Sequence, residues 1–252
     1  MSDMTSNLPI KLKKEPLIDA VFEVRFSCAV PASIVVPGSL FNNLEGGKTI
    51  ESLPLSQLPK PIRDADPNLK FAPLSRIDWN GFFISIGDSS LSVSCKYPYC
   101  GWRIFIKAIE DVMQALAQSN VVTAVDRYSM KYVDLIPSSS NQQKVSMINF
   151  KVSIADHQLE KEPFQLRIEI PRDGLVHAVQ VVSSAQATLH TGIVKEGLII
   201  DVDSFSDQKG ISIHSLLNGF TEKLEAIHKA NKAMFFDCIS TETLELLEPE
   251  YE

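Results

Sequence analysis

The sequence lacks the features that mark membrane, secreted and disulfide-stabilised proteins. No apolar run reaches the roughly 18–20 residues needed to span a bilayer. The polar residues 1–7 also lack the apolar segment of a signal peptide. The chain has four cysteines at irregular spacing, with no C-x-x-C pair: Cys28, Cys95, Cys100 and Cys238. We therefore expect a cytoplasmic protein that does not bind membranes and whose cysteines are reduced and mostly structural.

Long basic runs are absent as well. Asp and Glu number 31 against 24 Lys and Arg, so the formal net charge is −7. Outside residues 11–14, no run of Lys or Arg is longer than a pair. This balance disfavours a nucleic-acid partner. With 44% hydrophobic and 22% charged residues and no low-complexity tract, the 252-residue chain has the composition of a globular protein.

No segment carries a complete catalytic or metal-binding pattern. Residues 45–49, Glu-Gly-Gly-Lys-Thr, resemble part of a phosphate-binding loop. The full pattern requires Gly at Asn42 and a following helix, so we interpret the segment as a glycine turn. Cys100 stands just before a predicted helix, where backbone N–H groups lower a thiol pKa, but no base can be identified for it and we interpret it as structural. We interpret Trp102 as a core anchor and place His228 near a helix end. The sequence predicts no cofactor.

Residues 16–26 carry the clearest strand pattern in the chain. Proline at the first of these positions favours an extended entry, because it has no N–H group and disfavours helix in the residue before it. Apolar side chains then fall on alternate positions: Ala20, Phe22, Val24 and Phe26. The intervening Glu23 and Arg25 occupy the other side of the strand. One face is therefore expected to be core and the other at least partly solvated.

The remaining segments divide into two halves. The first half, residues 15–137, contains the opening strand and four further segments: a proline-rich connection over 27–74 with room for one short helix, a hairpin over 82–86 and 91–95, an amphipathic helix over 102–118 and a strand over 128–136. A Ser- and Gln-rich linker is predicted over 138–143. The second half, residues 145–248, contains four strands, one helix and a terminal segment: 145–154, 164–170, 175–182, 197–203, 212–229 and 241–247.

Each half thus consists of strands followed by one long helix. Strands grouped before a helix favour an α+β fold over a doubly wound α/β fold. We expect one or more antiparallel sheets covered by two long helices, with the halves as pseudo-duplicates. Residues 1–252 form either a single compact domain or two tightly packed halves.

Several residue patterns spread along the chain resemble one known family. They are Pro16-Leu17-Ile18-Asp19-Ala20 leading to Arg25-Phe26, then Leu91-Ser92-Val93, Tyr97-Pro98 with Gly101-Trp102, the strand at 128–134 and the stretch at 228–241. The chain is similar to sporadically distributed prokaryotic proteins of about 250 residues with no established activity. Members similar to this chain usually carry Leu-Arg and Asn where this sequence has Met130-Lys131 and Asp134. The resemblance implies an accessory gene of a mobile element, an antiviral-defence system or a toxin–antitoxin module.

Two functions remain open on this basis. The first is a non-catalytic interaction protein, a sensor, adaptor or neutralising partner, that binds a protein and forms an oligomer through an edge strand or helix face. The alternative is a ligand-binding or hydrolytic enzyme with a charged site between sheet and helix. The candidate ligand-binding residues are Arg25, Lys131, Arg167 and Glu169, and the weak metal candidates are Asp201 and Asp203.

Overall fold

The structure is a computed structural model that describes residues 8–138 and 140–251. Elements up to residue 118 are β1 (Lys11–Leu12), β2 (Leu17–Cys28), α1 (Ala32–Asn43), β3 (Lys48–Ser52), a 3-10 helix (Pro54–Gln57), α2 (Lys60–Ala65), β4 (Ser75–Trp79), β5 (Phe82–Ile86), β6 (Ser90–Cys95) and α3 (Trp102–Gln118). The later elements are β7 (Val122–Ile136), α4 (Asn141–Ser146), β8 (Ser153–Ile154), β9 (His157–Gln158), β10 (Gln165–Arg172), β11 (Leu175–Thr188), β12 (Val194–Ile211), α5 (Ile213–Leu217), α6 (Phe220–Cys238), α7 (Thr241–Leu246) and β13 (Pro249–Glu250). None of the helices in these residues combines the length and apolar character needed to cross a membrane.

One antiparallel sheet of nine strands dominates the fold. Its strand order is β10-β11-β12-β7-β2-β6-β5-β4-β3. The central strand β2 pairs with β6 on one side and with β7 on the other. Two small sheets, β1-β13 and β8-β9, accompany it. The expected combination of helices with an antiparallel sheet is confirmed.

The two faces of the sheet differ in composition. On β2, Phe22 and Val24 are fully buried, whereas Glu23 and Arg25 are half-buried on the opposite side. We call the side with Phe22 the helix face, because α1, α3, α5 and α6 all contribute to the apolar cores on that side. The side with Glu23 and Arg25 is the open face. The alternation predicted for residues 16–26 is therefore confirmed, and the helix face is covered by more than the two expected helices.

Two apolar clusters fill the space between the helix face and the helices. The first contains Phe22, Phe105 and Leu224, and the second contains Ile200 and Phe235. Helix α6 extends from one cluster to the other, and its polar residues at 228 and 231 lie between these apolar positions in the helix. The candidate site is positioned by this polar part of α6, which lies between its two apolar stretches.

The 27–74 connection contains the short helix that the sequence allowed, α1, and also a second one, α2. Helix α1 forms despite an internal Pro37, because Val36 and Leu40 are fully buried in the core and offset the lost hydrogen bond. The predictions for the next two segments are wrong. Residues 145–154, predicted as a strand, begin inside α4, which Ser140 caps by accepting a hydrogen bond from the Gln143 N–H at 3.2 Å. The predicted linker over 138–143 is therefore partly helical, and its residue 139 lies outside the described residues.

The single helix predicted over 212–229 is two helices. Gly219, with φ of 64°, separates α5 from α6 in a left-handed conformation that glycine adopts without a Cβ penalty. Helix α6 then continues to Cys238. His228 consequently lies in the middle of a helix and not near its end.

Candidate functional site

The six charged residues selected from the sequence all lie on the open face. They are Arg25, Lys131, Arg167, Glu169, Asp201 and Asp203. The predicted position between sheet and helix is wrong. On β2, β7 and β12 each residue is offset by one from the buried positions of its strand, and the pairing register places Arg167 and Glu169 of β10 on the same side. Val202, next to Asp203, is fully buried under the helices, for example. The structure thus places the six on the same side of the sheet, but on the side that the helices leave uncovered.

Lys131 is the centre of the closest charged group on the open face. It pairs in register with Asp203 of β12, and it also lowers the pKa values of Asp201 and Asp19. Burial raises the pKa of each of the three carboxyl groups, and Lys131 partly offsets that effect. Among the described residues, no group of three or more His, Cys, Asp or Glu side chains is arranged to hold a metal ion. The group is a cluster of interacting charges on a sheet face.

The other selected charges have separate partners. Arg25 Nε donates to Glu23 Oε1 at 2.5 Å, and its guanidinium carbon lies 4.4 Å from the centre of the Phe71 ring. Arg167 and Glu169 form a 3.1 Å ion pair on strand β10, at the far edge of the sheet, with both side chains more than half exposed. The six charges therefore do not converge on one concavity.

A cavity of about 470 Å³ lies on the helix side of the sheet. Its walls are the N-terminal segment at 9–17, the turn at 99–102, two residues of β7 and the stretch of α6 from His228 to Phe236. Apolar and aromatic side chains form most of this wall, and a few polar groups interrupt it. We call it the α6 cavity. Volume and lining are typical of a small-molecule site.

Aromatic rings close one side of the α6 cavity. The Trp102 and His228 rings stack with their centres 4.0 Å apart, and Trp102 Nε1 donates to Glu225 Oε1 at 2.9 Å. The Tyr132 hydroxyl lies 2.8 Å from His228 Nδ1. Burial, helped by the charge of Lys232, lowers the pKa of His228 to about 4, so the ring is neutral at pH 7. Trp102 is thus a stacking wall of the cavity as well as a contact of the core.

Asn231 ties helix α6 to the sheet. Its Nδ2 donates to the backbone oxygens of Met130 at 2.8 Å and Val202 at 2.7 Å, and it lies 2.9 Å from Ser204 Oγ. The opposite amide orientation would place its oxygen against those two carbonyl oxygens, so the donors determine the orientation. Asn231 is fully buried, and its Oδ1 has no hydrogen-bond partner in the part of the chain that the structure describes.

Asp134 is the buried acid of the cavity. It lies on the helix face between Leu17 of β2 and Ile200 of β12, and its residue surface is 6% exposed. Burial raises its pKa well above the usual range, and the negative charges of Glu15 and Asp201 act in the same direction. Within residues 8–138 and 140–251, Asp134 forms no ion pair. When Asp134 is ionised, no described cation therefore forms an ion pair with it.

Cys100 and the glycine segment at 45–49 have structural roles. The Cys95 and Cys100 sulfur atoms are 3.2 Å apart, and burial together with this neighbour raises the pKa of Cys100 to about 12. Cys100 lines the cavity as a protonated thiol and is a weak nucleophile at neutral pH. Residues 45–49 lead from α1 into strand β3, so no helix follows their glycines as a phosphate-binding loop requires.

The sequence analysis singled out Cys100, Trp102 and His228 of the cavity wall as structural, but it did not select Asp134 or Asn231, although two signals were present. Met130, Tyr132 and Asp134 alternate along β7, so an acid continues a core-facing series. Leu224, Ile227, Asn231 and Phe235 follow each other at steps of three or four, so an amide interrupts an apolar helix stripe. A polar residue in an apolar pattern is the sign of a buried polar site. No family model matches the chain, and no curated protein matches it.

Proposed function

We propose that this protein is a non-catalytic interaction protein whose α6 cavity binds a small molecule, so that it works as a sensor or adaptor. The observation that carries the proposal is the cavity itself, whose aromatic, mostly apolar wall includes a buried acid and a buried amide with an unpaired oxygen. A buried polar atom without a partner is costly, and a bound ligand that pairs with it offsets that cost.

The side chains around the cavity favour binding over turnover. Covalent catalysis would require an activated nucleophile beside a base. The Cys100 thiol is protonated at pH 7, and His228 has its Nδ1 occupied by the Tyr132 hydroxyl. The hydrolytic alternative therefore has weaker support than the ligand-binding one.

Blocking the cavity mouth tests this proposal. Ile10 lines the cavity and is 57% exposed, so Ile10→Trp adds a bulky ring at the mouth without disturbing the core. Ile104 on α3 is equally exposed but lies outside the cavity wall, which makes Ile104→Trp the matched control. We expect native mass spectrometry to detect a bound small molecule in the wild type and the control but not in Ile10→Trp. Metabolites that raise the Tm of the first two proteins should likewise leave the Tm of Ile10→Trp unchanged. If no small molecule binds the wild type, the proposal is wrong.

Partner binding at a sheet edge is the second candidate, and it is supported by strand β10. This eight-residue strand is last in the sheet order, and its Ile168 is 43% exposed. An edge strand can accept a strand from another chain. Light scattering after size exclusion should report a dimer that Ile168→Lys converts to monomer, whereas Ile50→Lys on the opposite edge strand β3 leaves it intact. A monomeric wild type would contradict self-association.

We further propose that the two halves descend from one duplicated unit. The proposed boundary between the units lies before β7, which the sequence halves assigned to residues 15–137. With the intervening elements left out, the first unit runs β2, β4, β5, β6 and α3, and the second runs β7, β10, β11, β12 and α6. Their positions in the sheet also correspond, since β2 and β7 pair at the centre, with β6 beside one and β12 beside the other. The sequence motifs support membership of the sporadic prokaryotic family, and with it a cytoplasmic role in a defence or toxin–antitoxin module.

A further inference from the structure

Two acceptor groups of the α6 cavity lack partners among the described residues, and so does one hydroxyl, that of Tyr99, which can donate or accept. Asn231 presents Oδ1, because its Nδ2 is already engaged by Met130 and Val202. Asp134 presents a carboxyl group. Such a set requires donors from a ligand, and an acid is best matched by a donor that carries positive charge.

The charged groups around Asp134 do not supply that cation. Glu15, from the N-terminal segment, is acidic and adds negative charge beside it. Lys232 of α6 interacts with Glu15, and its Nζ lies 3.3 Å from the Ile10 backbone oxygen. Lys11 also interacts with Glu15 and is exposed, while His228 is neutral. The two lysines therefore balance Glu15 at the rim and leave Asp134 without a counter-charge.

The cavity wall and the sheet register add two further constraints. Trp102 and Tyr132 present ring surfaces, which attract organic cations as well as apolar groups. Asn231 donates to the backbone oxygen of Met130, and Asp134 lies four residues further along β7. The Cα atoms of Met130 and Asp134 are therefore roughly 13 Å apart along the strand. A ligand that reaches both polar positions is elongated and has a donor near each end.

We propose that the α6 cavity binds an elongated organic amine, with its ammonium group against Asp134 and a second donor directed towards Asn231 Oδ1. This inference rests on the proposed function and names its ligand class. The aromatic wall packs against the body of the amine. Anionic ligands are disfavoured at Asp134, because they would meet its carboxylate, while the two lysines of the wall, Lys11 and Lys232, already interact with Glu15.

Paired probes of opposite charge test the inference on the full chain. Tyramine and cadaverine each carry an ammonium group and a second donor, and phloretate and glutarate are carboxylates of similar length. We expect calorimetry and thermal shift to detect the amines and not the acids. Asp134→Asn keeps the shape of the side chain and should weaken amine binding at least ~tenfold, the usual effect of losing a charge-assisted hydrogen bond. Glu15→Gln, at the rim, should weaken it less.

Asp203→Asn is the matched control, since Asp203 lies on β12 but on the open face, outside the cavity wall. Its amine affinity should stay within about twofold of wild type. Circular dichroism and Tm confirm that each variant is folded. The inference is overturned if neither amine binds, if the acids bind better, or if Asp134→Asn binds amines as the wild type does. A co-purified ligand that is not an amine overturns it as well but leaves the proposed function standing, whereas no ligand of any class overturns both.

Discussion

Each face of the central strands carries an aspartate, but only the aspartate of the open face has a lysine beside it. On the open face, Asp203 pairs in register with Lys131. On the helix face, Asp134 lies between Leu17 and Ile200. Burial raises the pKa of both carboxyl groups, but only Asp203 has a described lysine that works against the shift. The compensated acid belongs to a structural cluster, and the uncompensated acid beside a cavity indicates a ligand site.

The largest expected effect comes from the neutral histidine on the helix side. The pKa of His228 is about 4 in the folded state and 6.5 usually, so between these values the unfolded state binds more protons and stability falls as pH falls. The loss from pH 7 to pH 4 is on the order of 3 kcal/mol. His228→Gln should remove most of this pH dependence in urea unfolding. His214→Gln, at an exposed position, is the control and should leave the pH dependence unchanged. If the free energy of unfolding changes equally with pH in all three proteins, His228 is not a buried neutral ring.

Removing the shared cation of the open face should have the next largest effect. Lys131→Met leaves Asp19, Asp201 and Asp203 without their common positive neighbour. Because Lys131 is half-buried, we expect a loss of about 2 kcal/mol in the free energy of unfolding at pH 7, below the roughly 3–5 kcal/mol of a fully buried pair. Lys107→Met removes a surface ion pair with Asp111 and should cost about 0.5 kcal/mol or less. Equal losses would show that the open-face cluster contributes no more than a surface pair.

The last expected effect is a gain in stability. The pKa of Asp134 is raised in the folded state, so its carboxyl stabilises the fold while protonated and stability is lost as pH rises through that pKa. Asp134→Asn should therefore raise the Tm at pH 8 and change it less at pH 5. Asp203→Asn should gain less at pH 8, because it also removes the partner of Lys131. If Asp134→Asn lowers the Tm at pH 8, then Asp134 has a stabilising partner and the contrast between the faces fails.

Local periodicity predicted the elements whose pattern is uninterrupted. The hairpin of β5 and β6 and the helix over 102–118 lie where the alternation and the three-four spacing place them. The prediction was indefinite where tertiary burial outweighs local propensity. Helix α1 forms around Pro37 because its apolar side chains reach the core, a gain that a window of sequence does not reveal.

The candidate site shows the same limit of sequence prediction, here for the choice between the two faces of the sheet. Alternation correctly placed Arg25, Lys131 and the acids of β12 on one side of their strands. It contains no information on which side the helices cover, since that depends on strands and helices distant in sequence. Asp134 and Asn231 were detectable as polar interruptions of apolar series, but the cavity between them exists only once α6 lies across β7.

The central position of β2 also has a consequence for biosynthesis. Ser27 Oγ donates to Asp126 Oδ2 at 3.1 Å, and these neighbours in the sheet are 99 residues apart in the chain. At roughly 5–20 residues per second, a ribosome needs about 5–20 s to make that stretch. Late in that interval, once β6 has been made, β2 can pair with β6 but not yet with β7. The strand at the middle of the finished sheet is therefore a bare edge on the nascent chain, where chaperones or neighbouring chains can bind before β7 arrives.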